Sequence, residues 1–291
     1  MATRPEHRPG RPRPGGTLLG IDFTSAPSRR KPITVAVGTW HPGRPRPAFR
    51  LAEVRSLTSH DAFVACLQSA GPWIGGFDLP FGQPRPLVEH AGWPTDWPAL
   101  VRDYCRRPRP ALRETFRAWC DARPPGDKFA WRATDKPAGS SPAMRWANPP
   151  VAWMMHAGIG RMLDAGLAFP AHRHGDSTAR TARVALEAYP GFTARHVCRR
   201  SYKSDLAAAQ TAERRDNRRA IVAALVAGTA GLDIVLEIGT AWRRRLVADG
   251  GGDLLDAAIG ALQAGHAAAL PDYGLPADLD PLEGWIAAVP P

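Results

Sequence analysis

The sequence lacks the features of membrane-spanning, secreted and zinc-binding proteins. It has no apolar run of about 18 residues, the length that a helix needs to cross a bilayer. Its N-terminal segment MATRPEHRPGRPRPGG carries charges and prolines where a signal peptide would need an apolar stretch. The cysteines are scattered and form no CxxC pair, so neither zinc binding nor redox exchange is indicated. We therefore predict a cytoplasmic protein without a membrane partner.

The fingerprints of three enzyme classes are also missing. No P-loop GxxxxGK[ST] and no dinucleotide-binding GxGxxG follows the first predicted strand. The chain has no GxSxG motif, and no cysteine lies in a glycine-rich turn. The sequence thus gives no support to a P-loop phosphotransferase, a nicotinamide- or flavin-dependent enzyme, or a serine or cysteine hydrolase.

Acidic charge and lysine are both scarce relative to arginine. The chain has 38 Lys and Arg against 27 Asp and Glu, a net charge of +11, and only four of the basic residues are lysines. This excess favours an anionic partner, either nucleic acid or another phosphate-bearing molecule. However, arginine recurs in RPRP repeats at residues 11–14, 44–47 and 107–110, a composition that the base content of a genome can produce. Charge alone is therefore weak evidence for nucleic acid.

Composition and periodicity predict a tail followed by one α/β domain over residues 17–291. Residues 1–16 are rich in Pro, Arg and Gly and are expected to be disordered. The segments TLLGIDFTSA, PITVAVGTW and AFRLAEVRSL predict a three-strand antiparallel meander. A capped helix over TSHDAFVACLQSA and a buried fourth strand in WIGGFDLPFG follow. This order predicts a mixed sheet whose fourth strand is reached by a crossover connection.

The rest of the chain predicts more helix and a fifth strand. Residues 83–180 are expected to form a helical insert that contains Trp- and Pro-rich helical pieces and an irregular middle. ARVALEAYPG predicts the fifth strand, and KSDLAAAQTAERRDNRRAIVAALVAG predicts one long helix with a solvated, charged middle. DLLDAAIGALQAG is apolar nearly all round, which is typical of a buried helix.

Carboxylates stand where these apolar segments end or begin. Asp22 ends the first strand, Asp78 the fourth and Glu187 the fifth, while Asp253 and Asp256 lie three residues apart on one face of the late helix. Adjacent parallel strands would bring Asp22 and Asp78 side by side, and such carboxylates repel each other unless a cation intervenes. Mg²⁺ or Mn²⁺ is the natural cation for oxygen ligands. Two such ions about 3.5–4 Å apart would suit phosphodiester hydrolysis.

Each acid also has a purely structural interpretation. An Asp at a strand end can form a turn, and Asp253 is a favourable N-cap for the helix that follows it. Asp256 is harder to explain as a cap, because a carboxylate near a buried helix face needs a cation, hydrogen-bond donors or a raised pKa. The pattern shared by GID, GFDLP, LEAYP and DLLDA favours a common role.

Several other side chains are candidates for contacts with substrate or metal. Five basic residues, three in the turn after the first strand and two in the irregular insert, could bind phosphate: Arg29, Arg30, Lys31, Lys128 and Arg132. A solvated turn and a surface loop are the structural alternatives for the two groups. In AHRHGDS, His172 and His174 have the spacing of metal ligands, but without a third ligand nearby an exposed loop is favoured.

The ordered motifs GIDFTSAP, GFDLPFG, LEAYPG and GDLLDAAIGA resemble the ribonuclease H-like superfamily. The resemblance is closest to the bacterial domain of unknown function 429 family, whose members are predicted nucleases, and it covers residues 17–291. It implies a ribonuclease H-like mixed sheet flanked by helices, and a nuclease that uses Mg²⁺ or Mn²⁺ in a two-metal mechanism. The superfamily's metal-binding acids fall on Asp22, Asp78 and Asp256. Asp253 matches an acid of Holliday-junction-resolvase-like members, and Glu187 an acid of some branches only.

Two other functions remain open. DGGGD could bind phosphate at a helix N-terminus, as in a phosphotransferase or ATPase of the related actin-like fold, but that fold needs two facing copies and this chain has one. A non-catalytic nucleic-acid-binding protein would be expected to have lost some of the acids, and all are present. The sequence leaves open whether the substrate is DNA, RNA or a smaller phosphorylated molecule, and which oligomer the chain forms.

Overall fold

The computed structural model describes residues 15–43 and 45–291, so nearly all of the predicted N-terminal tail lies outside the described residues. The strands are β1 (Thr17–Asp22), β2 (Ile33–His41), β3 (Ala48–Leu57), β4 (Trp73–Asp78), β5 (Arg183–Glu187) and β6 (Val235–Glu237). The α-helices are α1 (His60–Leu67), α2 (Arg85–His90), α3 (Trp97–Arg106), α4 (Arg109–Asp121), α5 (Asp135–Ala138), α6 (Val151–Asp164), α7 (Pro190–Val197), α8 (Ala212–Ala227), α9 (Thr240–Ala248) and α10 (Asp253–Ala269).

The strands form one mixed sheet in the order β5-β4-β1-β2-β3-β6. The first three strands are an antiparallel meander, and β4 and β5 extend the sheet in parallel from β1. This is the ribonuclease H-like topology, with helices flanking the sheet, so the predicted fold class is confirmed. The short strand β6, which pairs in parallel with the other edge at β3, was not predicted. Its three residues are too few to give a periodic signal.

Each face of the sheet is covered by a different set of helices. The helices between β4 and β5 pack on one face, where residues such as Leu19, Ile21 and Phe77 join an aromatic-rich core. On the other face α8, α9 and α10 pack against residues such as Leu18 and Phe49. Because successive side chains of a strand point to opposite faces, the sequence position of each residue decides which set of helices it meets.

Helix α10 lies unusually close to the centre of the sheet. A Cβ atom on Gly20 of β1 would lie 1.8 Å from the carbonyl oxygen of Ala257, and one on Gly76 of β4 would lie 2.1 Å from that of Gly260. Only glycine leaves room for this approach. Asp22 lies two positions after Gly20, and Asp78 two positions after Gly76. Because alternate residues of a strand share a face, both aspartates also face α10.

The predicted start of the long helix after the fifth strand is wrong. The long helix expected from Lys203 begins only at Ala212, where the side chain of Thr211 accepts a hydrogen bond from the amide of Arg214. Residues 203–211 are instead a loop with one short 3₁₀ turn, because Ser204 and Gln210 bond to neighbouring backbone and side-chain groups in place of helical ones.

Over the residues described, no helix is long and apolar enough to cross a membrane.

Candidate functional site

Three aspartates converge where the carboxyl ends of β1 and β4 meet the first turn of α10. Asp22 and Asp78 are direct partners in the parallel β1–β4 pair, as their positions at strand ends predicted. Asp256 reaches them from α10, and one carboxylate oxygen from each residue lies within 4.8 Å of the others. Carboxylate oxygens at this spacing could hold a divalent cation. We call Asp22, Asp78 and Asp256 the acidic triad.

The members of the triad differ in their hydrogen bonds. The Tyr202 hydroxyl donates to Oδ1 of Asp256 at 2.5 Å, and the Lys203 ammonium donates to Oδ2 of the same carboxylate. Within the described residues, no hydrogen bond reaches the carboxylates of Asp22 and Asp78, although Asp22 is only 9% exposed. Neither carboxylate is among the fully buried groups without a partner, so its oxygens stay open to solvent, and a cation could reach them and supply the missing partner.

Burial and mutual repulsion raise the pKa values of the unpaired acids. Burial is the main reason that the pKa of Asp22 stands well above its ordinary range, and the nearby Asp256 carboxylate adds to the effect. Burial also raises the pKa of Asp78 to about 7, against the opposing effect of the Lys203 ammonium. Without a cation, protons therefore remain on the triad at pH values where exposed carboxyls are ionised.

The raised pKa of Asp78 predicts a pH-dependent effect of Asp78→Asn on the ion-free protein. The folded state holds this proton up to about pH 7, whereas the unfolded chain releases it near about pH 4. Native Asp78 therefore lowers the free energy of unfolding as the pH rises through this window. We expect Asp78→Asn to be near neutral at pH 4 and to stabilise by about 1–3 kcal/mol at pH 8.

The measurement is urea unfolding in EDTA at pH 4, 6 and 8. The exposed Asp278 provides the matched control, since Asp278→Asn should show no such trend. Addition of Mg²⁺ should stabilise the wild type at pH 8 more than the Asp78→Asn variant. A stability difference between Asp78→Asn and wild type that stays constant from pH 4 to pH 8 would contradict the pKa assignment.

Asp253 does not cap α10, contrary to the prediction. The N-cap is Gly252, with a φ of 81°, and it is Asp249 that accepts the Leu254 amide at 2.9 Å. The Asp253 carboxylate instead accepts a hydrogen bond at 2.8 Å from Lys31, which also donates to Asp205. The loop after β1 therefore places Lys31 against Asp253, and its binding of phosphate stays a prediction. Its neighbours Arg29 and Arg30 are exposed, and their contact with substrate stays a prediction.

Glu187 lies on the opposite face of the sheet from the triad. It pairs in register with Phe77, one position before Asp78, so its side chain points towards the insert helices. There Arg132 contacts both of its carboxylate oxygens, at 2.6 and 2.7 Å. The Phe81 amide adds a third hydrogen bond, at 2.9 Å. The structure thus does not bring Glu187 together with the other predicted acids.

The predicted phosphate-binding residues of the insert lie elsewhere. Arg132 is 2% exposed and is also bound to Asp135, so its guanidinium is part of the protein interior rather than of a surface that meets substrate. Lys128 is exposed and lines a surface pocket of about 460 Å³ beside Arg117 and Trp146. No member of the triad lines this pocket, so the structure gives Lys128 no contact with the candidate site.

His172 is buried rather than exposed, so the expected surface loop is wrong for this residue. Its ring stacks on Trp97 with centroids 4.2 Å apart, and its Nδ1 atom bonds to the carbonyl oxygen of Pro281 at 2.6 Å. Burial lowers its pKa to about 3, so the ring is neutral at physiological pH. Among the described residues, the one group with metal-binding geometry is the acidic triad, which includes neither His172 nor His174.

The sequence interpretation missed Tyr202 and Lys203, which contact Asp256. The segment from Lys203 onwards predicted a solvated helix, so Lys203 was not expected to contact the acids. Burial opposes the charged form of Lys203, but Asp256 and the other surrounding groups hold its pKa well above the usual value. One signal was present in the sequence. Lysine is rare in this chain, and two of its four lysines, Lys31 and Lys203, lie at this site.

A scan against protein-family models and searches of curated proteins and of solved structures each find no match for this chain. The resemblance to the domain of unknown function 429 family therefore stays a prediction. The function has to be inferred from the chemistry of the site.

Proposed function

We propose that the protein is a divalent-cation-dependent phosphodiester hydrolase that acts on nucleic acid. One observation carries this proposal: three carboxylates converge at the carboxyl ends of adjacent parallel strands, and two of them have no hydrogen-bond donor among the described residues. The ribonuclease H-like topology and the motif resemblance to predicted nucleases support the same conclusion. Shared topology alone would not, because one fold hosts many functions.

The donor set of the triad fits Mg²⁺ or Mn²⁺. All three groups offer hard oxygen ligands, and no sulfur or imidazole ligand joins them among the described residues. When bound, such an ion supplies Lewis-acid polarisation of a phosphate and lowers the pKa of a coordinated water. In this proposal Asp22, Asp78 and Asp256 hold the cation, and Tyr202 orients Asp256 through its hydroxyl.

Basic residues at the edge of the triad would bind the substrate backbone. Lys31 stands beside the triad through its contact with Asp253, and Arg29 and Arg30 are exposed in the same loop. Such residues bind phosphate without reading base sequence, so we expect cleavage with little sequence preference and affinity that falls steeply with salt. The net charge of +11 acts in the same direction by attracting polyanions.

The actin-like phosphotransferase is less well supported. Its phosphate would occupy the N-terminus of α10, but there the Asp249 carboxylate already accepts the Leu254 amide. In addition, the described residues form one six-stranded sheet, whereas that architecture needs two facing copies.

Hydrolysis assays with several substrate classes test the proposal. Purified protein is incubated with labelled single-stranded DNA, duplex DNA, a four-way DNA junction, RNA and bis(p-nitrophenyl) phosphate, in Mg²⁺, Mn²⁺ or EDTA. We expect cleavage of at least one nucleic acid in Mg²⁺ or Mn²⁺ and none in EDTA. Nucleic-acid binding without cleavage under every condition would favour a non-catalytic binding protein, and cleavage of the small diester alone would remove nucleic acid as the substrate class.

A further inference from the structure

Lys203 places a positive charge directly against the acidic triad. Its ammonium donates to one oxygen of Asp256, while the other oxygen of that carboxylate is held by the Tyr202 hydroxyl. The Lys203 side chain is 43% exposed and that of Asp256 is fully buried. The lysine therefore lies on the solvent side of the triad, where a substrate phosphate would approach.

Several contacts fix the position of this lysine. The guanidinium of the buried Arg218 donates to the carbonyl oxygen of Tyr202 at 2.6 Å and to that of Val247 at 2.9 Å, which ties the lysine's loop to the end of α9. The amide of Ser204 donates to the carbonyl of Gly250 at 3.1 Å. A Cβ atom on Gly252 would lie 2.8 Å from Cβ of Lys203, so the glycine leaves room for the side chain. These contacts pre-organise Lys203 beside the acids.

The charges at the site balance with a single divalent ion. The triad carries −3 when ionised and Lys203 adds +1, which leaves −2. Asp253 shares the Lys31 ammonium with Asp205, whose side chain is 73% exposed, so the charge left over at this edge of the site is solvated and lies outside the triad. In the substrate-free site one Mg²⁺ or Mn²⁺ would bring the total to zero, whereas a second ion would leave +2. Uncompensated charge is costly in such surroundings.

The choice of lysine fits this arrangement. Arginine supplies nearly all of the positive charge elsewhere in the chain, yet a lysine stands here. An ammonium is a compact point charge, comparable to an ion, whereas a planar guanidinium needs more room and a matching pair of acceptors. The space between the carboxylates and a bound phosphate would accommodate a compact cation such as the lysine ammonium.

We propose that Lys203 takes the place of a second metal ion, so that the site binds one divalent cation per chain and the lysine ammonium provides the other positive charge for the substrate phosphate. This inference rests on the proposed function and replaces the two-metal arrangement that the motif resemblance implied. It makes Lys203 a substrate-binding residue in its own right.

Calorimetric titration of Mn²⁺ into the full chain, with and without a phosphorothioate oligonucleotide, tests the stoichiometry. We expect one Mn²⁺ per chain for the wild type and for Lys203→Arg, and two for Lys203→Met, which keeps the apolar stem but removes the charge. The exposed Lys136 gives the matched control, and Lys136→Met should bind one Mn²⁺. Two ions in the wild type, or one in Lys203→Met, would overturn the inference while leaving the proposed hydrolase intact.

Electron paramagnetic resonance of bound Mn²⁺ keeps the inference testable if Lys203→Met does not fold. The wild type, loaded with Mn²⁺ in the presence of the oligonucleotide and then separated from unbound ion by gel filtration, should give the six-line spectrum of an isolated ion. A spin-coupled spectrum from a close pair of ions would refute the inference. If the wild type binds no Mn²⁺ in either experiment, the proposed function fails together with the inference.

Discussion

Asp22→Asn is expected to lower metal-dependent hydrolysis by a factor on the order of 10³, the loss that follows removal of one major electrostatic group from an active site. Asp22 lies within 4.8 Å of both other members of the triad, and no hydrogen-bond donor reaches it from the described residues. Its charge is therefore available to a cation. Asparagine keeps the volume and one oxygen but loses the charge, so the effect reports on cation binding rather than on packing.

The same substitution should not destabilise the ion-free protein. Burial and the Asp256 carboxylate already disfavour the ionised form of Asp22, so a neutral side chain removes repulsion. The activity assay is paired with circular dichroism and with calorimetric titration of Mn²⁺, whose binding should weaken sharply. Asp278→Asn, an exposed change of the same chemical kind, should leave both activity and Mn²⁺ affinity unchanged. A folded Asp22→Asn protein with full Mn²⁺-dependent activity would remove the triad from the mechanism.

Local patterns were sufficient to predict where Asp22 and Asp78 lie. Both residues end short apolar segments, and the crossover rule makes the first and fourth strands parallel. The structure places the two aspartates in the same register position of adjacent strands. Asp256 could be added because a carboxylate on a helix that is apolar all round has few structural explanations. For these three aspartates, the neighbouring residues in sequence were sufficient to predict a position at the site.

Glu187 shows why strand ends alone are not sufficient. It ends β5 just as Asp78 ends β4, but it pairs with Phe77 and so points to the other face of the sheet. A shift of one residue in register reverses the face of every side chain in a strand. Register depends on how the strand packs, and nothing in the motif LEAYPG encodes it.

Lys203 and Asp253 were misjudged for a different reason. Helical periodicity extends through the segment after Lys203, but the loop bonds of Ser204 and Gln210 outweigh it and the helix begins at Ala212. Asp253 has the residue type of an N-cap, yet Asp249 is better placed to accept the Leu254 amide. Both outcomes depend on hydrogen bonds between polar side chains and nearby backbone, no more than six positions apart, which compete with the helical pattern.

Arg132→Met is expected to destabilise the protein by about 3–5 kcal/mol, the cost of removing one partner from a buried ion pair. The side chains of Arg132, Asp135 and Glu187 are each at most 4% exposed, and the guanidinium contacts both carboxylates. Methionine fills much of the space but leaves two buried carboxylates without their cation. Without the guanidinium, burial should raise the pKa of Glu187 further above its ordinary range, so the loss of stability should be larger at pH 8 than at pH 5. Urea unfolding at both pH values measures this.

Neutralising the two acids as well should recover part of the loss. The triple variant Arg132→Met, Asp135→Asn, Glu187→Gln removes the uncompensated charges, and neighbouring residues of one network are not additive. If it is more stable than Arg132→Met alone, the cluster acts by charge pairing. Under conditions where it stays folded, Glu187→Gln should bind Mn²⁺ as the wild type does, because Glu187 faces away from the triad. Loss of Mn²⁺ binding in folded Glu187→Gln would instead mean that this carboxylate supports the cation site across the sheet.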